Sequence, residues 1–291
     1  MRILLYVLGL CLLAPLLAYA ALVWDHNRAL TPVTDTALAI ALEDSIQWLE
    51  RNEENILREP NPMLWWMVQQ SAQRTQDPRL EELFQRYRRV VLEPSPSSPW
   101  QPLFNRNTWI PVRAEDLQHM PYYNLHILYG VSCDPELGEL ALVQAQLRED
   151  FCPTRYPLSP ACTTHQMMGM RFMQARGCGD ADAVDSVIQA LQDRIVRQLT
   201  WDPRPVDVYL QRLLMLAESG QAARIRPVWL QRALEVQRDD GGWSDFHPLF
   251  PLGHERYFGF SGRIFSLKAP RSSFHATAQG VYLLSLLQPA P

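Results

Sequence analysis

The segment Gln237–Trp243 reads QRDDGGW and follows a strongly helical stretch of the chain. Two glycines after two aspartates end a helix, because glycine adopts the left-handed conformation that closes a helical carboxyl terminus at little cost. Trp243 then offers a large apolar ring that can pack back over the end of the helix. The segment therefore predicts a junction between two packed helices.

Helical patterns occur in pairs along most of the chain. In each pair a largely apolar first helix is followed by a short break and an amphipathic second helix. The first helices are predicted to begin near residues 62, 122, 162, 205 and 273. A helix that is apolar around most of its circumference is buried, whereas a helix with a charged face is peripheral. The pattern predicts an inner ring of first helices surrounded by second helices.

The spacing Gln-x-x-x-Gly-x-Trp, here Gln237, Gly241 and Trp243, resembles a motif at the helix-hairpin junctions of terpenoid cyclases and protein prenyltransferases. Because both families are toroids of paired helices, the resemblance implies an all-α fold. We expect an incomplete α/α toroid of stacked helical hairpins over residues 35–291.

The segment SSFHATAQGVYLL also looks like the prenyltransferase segment whose histidine ligates the catalytic zinc ion, and His275 falls on that position. However, no segment after Trp243 supplies the aspartate and cysteine of those enzymes, and the acidic motifs of terpenoid cyclases are absent. The resemblance therefore concerns architecture and not chemistry.

The amino terminus is an apolar run without a charge between Arg2 and Asp25. About 20 apolar residues match the thickness of a bilayer. This predicts a transmembrane anchor over residues 1–24, with residues 3–24 in the inner membrane, the linker 25–34, and a body in the periplasm or extracytoplasmic space. A cleaved export signal is the alternative, since Ala18-Tyr19-Ala20 is a small-x-small triplet; continuation of the run to Trp24 favours the anchor.

Four of the five cysteines lie outside the apolar run. In an oxidising compartment we expect them to form disulfides. Cys133 and Cys178 occupy the same inner-to-outer turn in neighbouring hairpins, while Cys152 and Cys162 flank the next connection. The predicted pairs are therefore 133–178 and 152–162, because the other two connectivities would have to cross the body.

Polar residues recur at the predicted starts of the inner helices. His165, Asp207 and His275 are the candidate catalytic residues, because a carboxylate beside an imidazole fixes its tautomer and prepares it for proton transfer. In a ring, these starts would converge on one mouth. The candidate ligand-binding residues are Tyr123, Asn124, Gln166, Tyr209 and Trp243.

Helix capping is the alternative explanation of the smaller polar residues at these starts, which are Thr163, Thr164, Asp207 and Ser273. It does not explain His165 or His275, since histidine is a poor cap. Residues 244–271 have no periodicity and predict an irregular loop that folds over the mouth.

A formal charge of −4 gives no reason to expect a nucleic acid partner. No complete catalytic motif is present, which favours a scaffold or binding module that uses the concave polar and aromatic mouth for a glycan, lipid-linked or protein partner. The alternative is an envelope enzyme that acts on a glycan or lipid-linked substrate by acid–base or metal-assisted chemistry. No cofactor is expected, although two histidines and an aspartate could bind zinc.

Overall fold

A computed structural model describes residues 2–112, 117, 120–156, 159–262 and 265–288, except for the side chains of residues 2–12. This part of the chain is mostly helical, with 14 α-helices and a three-stranded antiparallel sheet before the last helix. The predicted all-α class is therefore corrected to a mostly helical fold with a small sheet.

The helices of the first half are α1 (Arg2–His26), α2 (Asp35–Arg51), α3 (Glu53–Ile56), α4 (Pro62–Thr75), α5 (Pro78–Tyr87), α6 (Gln101–Phe104), α7 (Tyr122–Ser132), α8 (Pro135–Gly138) and α9 (Ala141–Gln146). The second half contains α10 (Cys162–Arg176), α11 (Ala181–Trp201), α12 (Asp207–Glu218), α13 (Pro227–Glu235), β1 (Phe246–Gly253), β2 (Arg256–Ser261), β3 (Phe265–Lys268) and α14 (Phe274–Leu287).

Five helices, α4, α7, α10, α12 and α14, form the interior and are called the inner helices below. Successive neighbours in space are α7, α10, α12, α14 and α4. In α12 every residue from Val208 to Leu216 is buried, whereas α11 buries one stripe that includes Ile188, Leu191 and Ile195. This contrast follows from the sequence, because α12 is apolar around most of its circumference and α11 is amphipathic.

The peripheral helices pack on the outside of the inner ones. Helix α5 lies on α4, α8 and α9 lie on α7, and α11 lies on both α10 and α12. Helix α13 packs on α12, and α2 packs on α14. The first amphipathic helix of the body is therefore the neighbour of the last inner helix.

The segment Gln237–Trp243 ties α13 to both α2 and α14. The side-chain amide of Gln237 donates to the carbonyls of Ala41 and Gly241, both at 2.8 Å. The indole Nε1 of Trp243 donates to the Ala233 carbonyl at 2.7 Å, and its backbone N–H donates to Thr277 Oγ1 at 3.0 Å. The motif that predicts a helix junction therefore joins three helices rather than two.

Residues 246–268 form an antiparallel sheet in the order β1-β2-β3, which corrects the predicted irregular loop. Strand β1 is an edge strand with Pro248 and Pro251, and the register shifts beside both prolines. Proline cannot donate to a ladder, so it is confined to edges and bulges. His254 and Glu255 adopt positive φ in the turn between β1 and β2.

Both predicted disulfides are present. Cys133 and Cys178 have Cα atoms 5.3 Å apart, and Cys152 and Cys162 have Cα atoms 5.7 Å apart. The first bridge joins the ends of α7 and α10, and the second closes the connection that precedes α10. Such bridges are typical of proteins that fold in an oxidising environment.

Among the residues that the structure describes, no helix is long and apolar enough to cross a membrane. The predicted anchor over residues 1–24, and the single-pass inner-membrane location that depends on it, are therefore wrong. The end of α1 makes polar contacts with the end of α11: the Tyr19 hydroxyl donates to the Trp201 carbonyl at 2.5 Å, and His26 Nε2 lies 2.7 Å from the Leu199 carbonyl.

Candidate functional site

The first turns of four inner helices bring Tyr123, His165, Asp207 and His275 together in what is called the mouth cluster below. His275 Nδ1 lies 3.4 Å from Asp207 Oδ2. The charges of His275 and Asp207 both influence the pKa of His165. The ring of Tyr123 lies 4.4 Å from the imidazole of His165, measured between centroids. Residues that are far apart in the sequence thus meet at one end of the inner helices.

His165 is half-buried, and its Nδ1 lies 2.8 Å from the carbonyl of Ala161. Because a carbonyl can only accept, Nδ1 carries the hydrogen, which leaves the lone pair on Nε2. Burial lowers the pKa of His165 and outweighs the raising effects of Ala161 and Asp207, while the charge of His275 lowers it further. Near neutral pH this imidazole is therefore a neutral group with a basic Nε2.

Asp207 occupies the first turn of α12, where the positive end of the helix dipole favours a carboxylate. Its Oδ2 faces His275, while its Oδ1 is buried and has no hydrogen-bond donor among the described residues. A buried oxygen without a partner is unusual in a folded protein and is a place where a ligand group or water can bind. The side chain of His275 is 41% exposed, so the pair is open to solvent on one side.

The sheet forms part of the wall of the site. Gly262 follows β2, and a Cβ atom at that position would lie 3.4 Å from Asp207 Oδ1. The strand end therefore lies against the buried oxygen of Asp207. The prediction that residues 244–271 close over the mouth rests, in the described residues, on this one approach of Gly262.

Three predicted ligand-binding residues lie inside the protein rather than on the mouth. The side chain of Gln166 is fully buried and donates to the carbonyls of Gln146 and Arg148. The hydroxyl of Tyr209 donates to the Trp229 carbonyl at 2.9 Å, and Trp243 is 1% exposed. These side chains hold peripheral segments against the inner helices. Asn124 is half-buried beside Tyr123, in the first turn of α7.

Capping accounts for one of the small polar residues at the helix starts. Ser273 Oγ accepts a hydrogen bond from the backbone N–H of Ala276 at 3.2 Å. Thr163 and Thr164 instead make tertiary contacts, because Thr163 Oγ1 accepts from the Gln198 amide and Thr164 Oγ1 donates to Gln211 Oε1.

A buried network of charged side chains joins the α11–α12 connection to α12. It was not predicted from the sequence. Asp202 binds the fully buried Arg212 at 2.9 Å and Arg204 at 2.6 Å. Burial alone would raise the pKa of Asp202, but the two guanidinium groups outweigh burial and lower the pKa to about 2. The signal in the sequence is Arg212 itself, a charged residue in the middle of the apolar run of α12.

In the described ranges, no group of three His, Cys, Asp or Glu side chains is arranged to hold a metal ion.

Comparisons of the chain with models of protein families, with characterised proteins and with solved structures returned no match. The function is accordingly argued from the geometry of the mouth cluster.

Proposed function

We propose that the chain is an enzyme that uses the mouth cluster for acid–base chemistry on a glycan or a similar hydroxyl-rich substrate. The observation that carries this proposal is the contact of His275 with Asp207 beside a second, neutral imidazole, that of His165. Catalysis by proton transfer requires two groups that hold protons differently at the same pH. The two histidines lie in different environments: the half-buried His165 donates to a backbone carbonyl, whereas the side chain of His275 is 41% exposed and contacts a carboxylate.

We also propose that the helical hairpins form an incomplete α/α toroid. Two features support this architecture: the inner helices follow one another in space from α7 to α4, and α2 packs on α14. The amino ends of the inner helices would then form one mouth of the toroid. This arrangement explains why first-turn residues of α7, α10, α12 and α14 meet.

In such a site each residue has a distinct part. His165 Nε2 would take a proton from an attacking water or hydroxyl group, and His275 would give a proton to the oxygen that leaves. Asp207 would orient the imidazole of His275, as a carboxylate does for a catalytic histidine. Hydrolysis of a glycosidic bond by this route consumes one water and leaves His165 protonated and His275 neutral. His165 then loses a proton to solvent and His275 takes one from solvent, which restores the starting states.

The aromatic residues near the mouth favour a sugar substrate. The rings of Tyr122 and Tyr123 meet edge to face at 5.4 Å, and Phe151 lies 5.7 Å from Tyr122. Tyr122 and Tyr123 are half-buried, and the guanidinium of Arg155 lies over the Tyr122 ring, 4.9 Å from its centroid. Aromatic rings with an apolar face and a polar edge are common partners of sugar rings.

The second candidate function is a binding module that holds a glycan or protein segment at the same mouth without changing it. The aromatic group of Tyr122, Tyr123 and Phe151 favours this function as well, because it offers contact area without proton transfer. The two functions differ in whether the pair His275–Asp207 transfers a proton: the enzyme requires the transfer, and the binding module does not.

The test is a panel of soluble oligosaccharides and polysaccharides incubated with the purified protein, followed by mass spectrometry of the products and by titration calorimetry. We expect cleavage by the wild type and a loss of about 100-fold or more in His275→Ala, the usual size of an acid–base contribution. The control is His254→Asn, because His254 is exposed in the β1–β2 turn at positive φ, which asparagine tolerates. Binding without cleavage would instead establish the binding module, and neither binding nor cleavage would contradict both functions.

A further inference from the structure

A cavity of ≈ 460 Å³ lies between the inner helices and is also lined by residues 102–104 and 106. All five inner helices contribute to its wall, for example through Trp66 in α4, Arg171 in α10 and Tyr282 in α14. Four of these helices, α7, α10, α12 and α14, contribute their first turns to the mouth cluster and later residues to the cavity. The cavity shares no lining residue with the mouth cluster.

The inner part of the cavity is apolar and aromatic. The ring of Trp66 meets Phe172 edge to face at 4.9 Å and Tyr282 edge to face at 5.4 Å. Met168 and Met215 complete this part of the wall. Methionine adapts to the shape of its neighbours and makes favourable contacts with aromatic rings. This part of the wall fits the flat apolar part of a small ligand.

The polar part of the wall has an excess of positive charge. The charged residues that line the cavity are three arginines, Arg106, Arg171 and Arg176, and one acid, Glu218. Glu218 is already bound to Arg171, with Nε and Oε2 2.8 Å apart. The other two guanidinium groups have no carboxylate partner among the residues that the structure describes.

Arg176 is held in place by backbone groups rather than by an acid. Its two terminal nitrogens donate to the carbonyls of Pro102 and Arg106, at 2.5 and 2.6 Å. Burial lowers the pKa of Arg176, and the like charge of Arg106 lowers it further. Two like-charged guanidinium groups in the wall of one cavity are stabilised when an anion binds beside them.

We propose that this cavity is a second binding site, separate from the mouth, for a small molecule in which a carboxylate or phosphate is attached to an apolar ring. The ring lies against Trp66 and Phe172, and the anion contacts Arg106 and Arg176. A guanidinium group presents its N–H donors in a planar fork that matches both carboxylate and phosphate oxygens. The inference does not depend on catalysis at the mouth, because the two sites share no residue.

The test compares three probes with the same ring by titration calorimetry: phenylacetate, phenyl phosphate and the neutral benzyl alcohol. We expect at least one anion to bind about tenfold or more tightly than benzyl alcohol, the size expected for a hydrogen bond to a charged group. We also expect the advantage of the anion to shrink at high salt, because screening weakens the attraction. The stronger of the two anions identifies the natural head group as a carboxylate or a phosphate.

Two variants locate the binding. Arg106→Gln removes an exposed cation whose side chain makes no hydrogen bond or ion pair within the described ranges, and we expect it to reduce anion affinity about tenfold. Arg88→Gln is the matched control, because Arg88 is an exposed arginine outside the cavity. His275→Ala should leave binding of the anion unchanged.

Any of three results would overturn the proposal: no probe binds, benzyl alcohol binds as tightly as the anions, or Arg88→Gln weakens binding as much as Arg106→Gln. The stability of each variant is checked by thermal unfolding, so that loss of binding is not confused with loss of the fold.

Discussion

His275 Nδ1 lies 3.4 Å from Asp207 Oδ2, and this contact joins the first turns of α14 and α12. His165 lies beside the pair, but its Nδ1 donates a hydrogen bond to the Ala161 carbonyl instead. The two imidazoles therefore have different partners, an acceptor in the backbone and a carboxylate. The predictions on the mouth cluster follow from this difference.

The pH dependence of the site should follow His165. Its pKa is lowered chiefly by burial, so the group is neutral above that pKa and gains a proton as the pH falls through it. Tyr123→Ala exposes the imidazole and should move its pKa up towards the ordinary value of about 6.5. Titration of the His165 ring protons by NMR measures this shift without any substrate. An unchanged midpoint in Tyr123→Ala would show that Tyr123 does not shield the ring.

Much of the helical framework could be predicted because its signals are local. Inner helices predicted near residues 62 and 122 begin at Pro62 and Tyr122, since a cap or an apolar stretch marks each start. Asn61, for example, caps α4 by accepting from the backbone N–H of Met63 at 3.0 Å. Both disulfides also followed from the positions of the cysteines in the repeated hairpins.

The sheet could not be predicted, because pairing of strands is a long-range property. Strand β1 carries Pro248 and Pro251, which argue locally against a strand. It forms by antiparallel pairing with β2, which the local sequence of β1 does not reveal. The prediction that Tyr209 and Trp243 bind a ligand at the mouth placed their rings wrongly for a related reason, although the packing of Trp243 on the preceding helix was predicted. Both belong to segments buried on several sides, so the sequence does not show whether a ring faces the mouth or a neighbouring helix.

The buried pair of Asp202 and Arg212 should be sensitive to loss of one partner. Asp202→Asn leaves the fully buried guanidinium of Arg212 without its carboxylate, and breaking such a pair costs about 3–5 kcal/mol of unfolding free energy. The control is Asp193→Asn, which breaks the exposed ion pair with Arg224 and should cost about 0–1 kcal/mol. Urea unfolding at neutral pH measures both. Equal losses of unfolding free energy in the two variants would show that breaking the buried pair costs no more than breaking the exposed one.

Asp202 also gives a pH dependence of stability. Its pKa is lowered to about 2 in the folded chain, against 3.8 for a free side chain, so its contribution is fully present above about pH 4. It is lost as the pH falls through the folded pKa, because the unfolded chain binds the proton first. The contribution is on the order of 2 kcal/mol. Urea unfolding between pH 5 and pH 2 should show a smaller loss in Asp202→Asn than in the wild type.

The two disulfides should differ in their effect on stability. The bridge 133–178 spans 45 residues and the bridge 152–162 spans 10. Because a longer loop restricts the unfolded chain more, removal of the first by serine substitution should cost about 4 kcal/mol and removal of the second about 3 kcal/mol. Urea unfolding of the two double-serine variants measures the difference. The reverse order would indicate that strain or residual structure outweighs loop entropy.

Gly241, in the segment that joins α13 to α2 and α14, should not tolerate a side chain. It has φ +89°, and a Cβ atom there would lie 2.2 Å from the backbone carbonyl oxygen of Asp44 in α2. Gly220 has φ +75° and open space around it, so Gly220→Ala measures the cost of backbone strain alone, about 1 kcal/mol. Gly241→Ala adds a clash with a main chain that cannot move freely, and we expect an additional loss of about 2 kcal/mol or more. Thermal and urea unfolding of the two variants give the comparison. Equal losses would mean that α2 can shift away from the junction, and the close packing of QRDDGGW on α2 would then not contribute to stability.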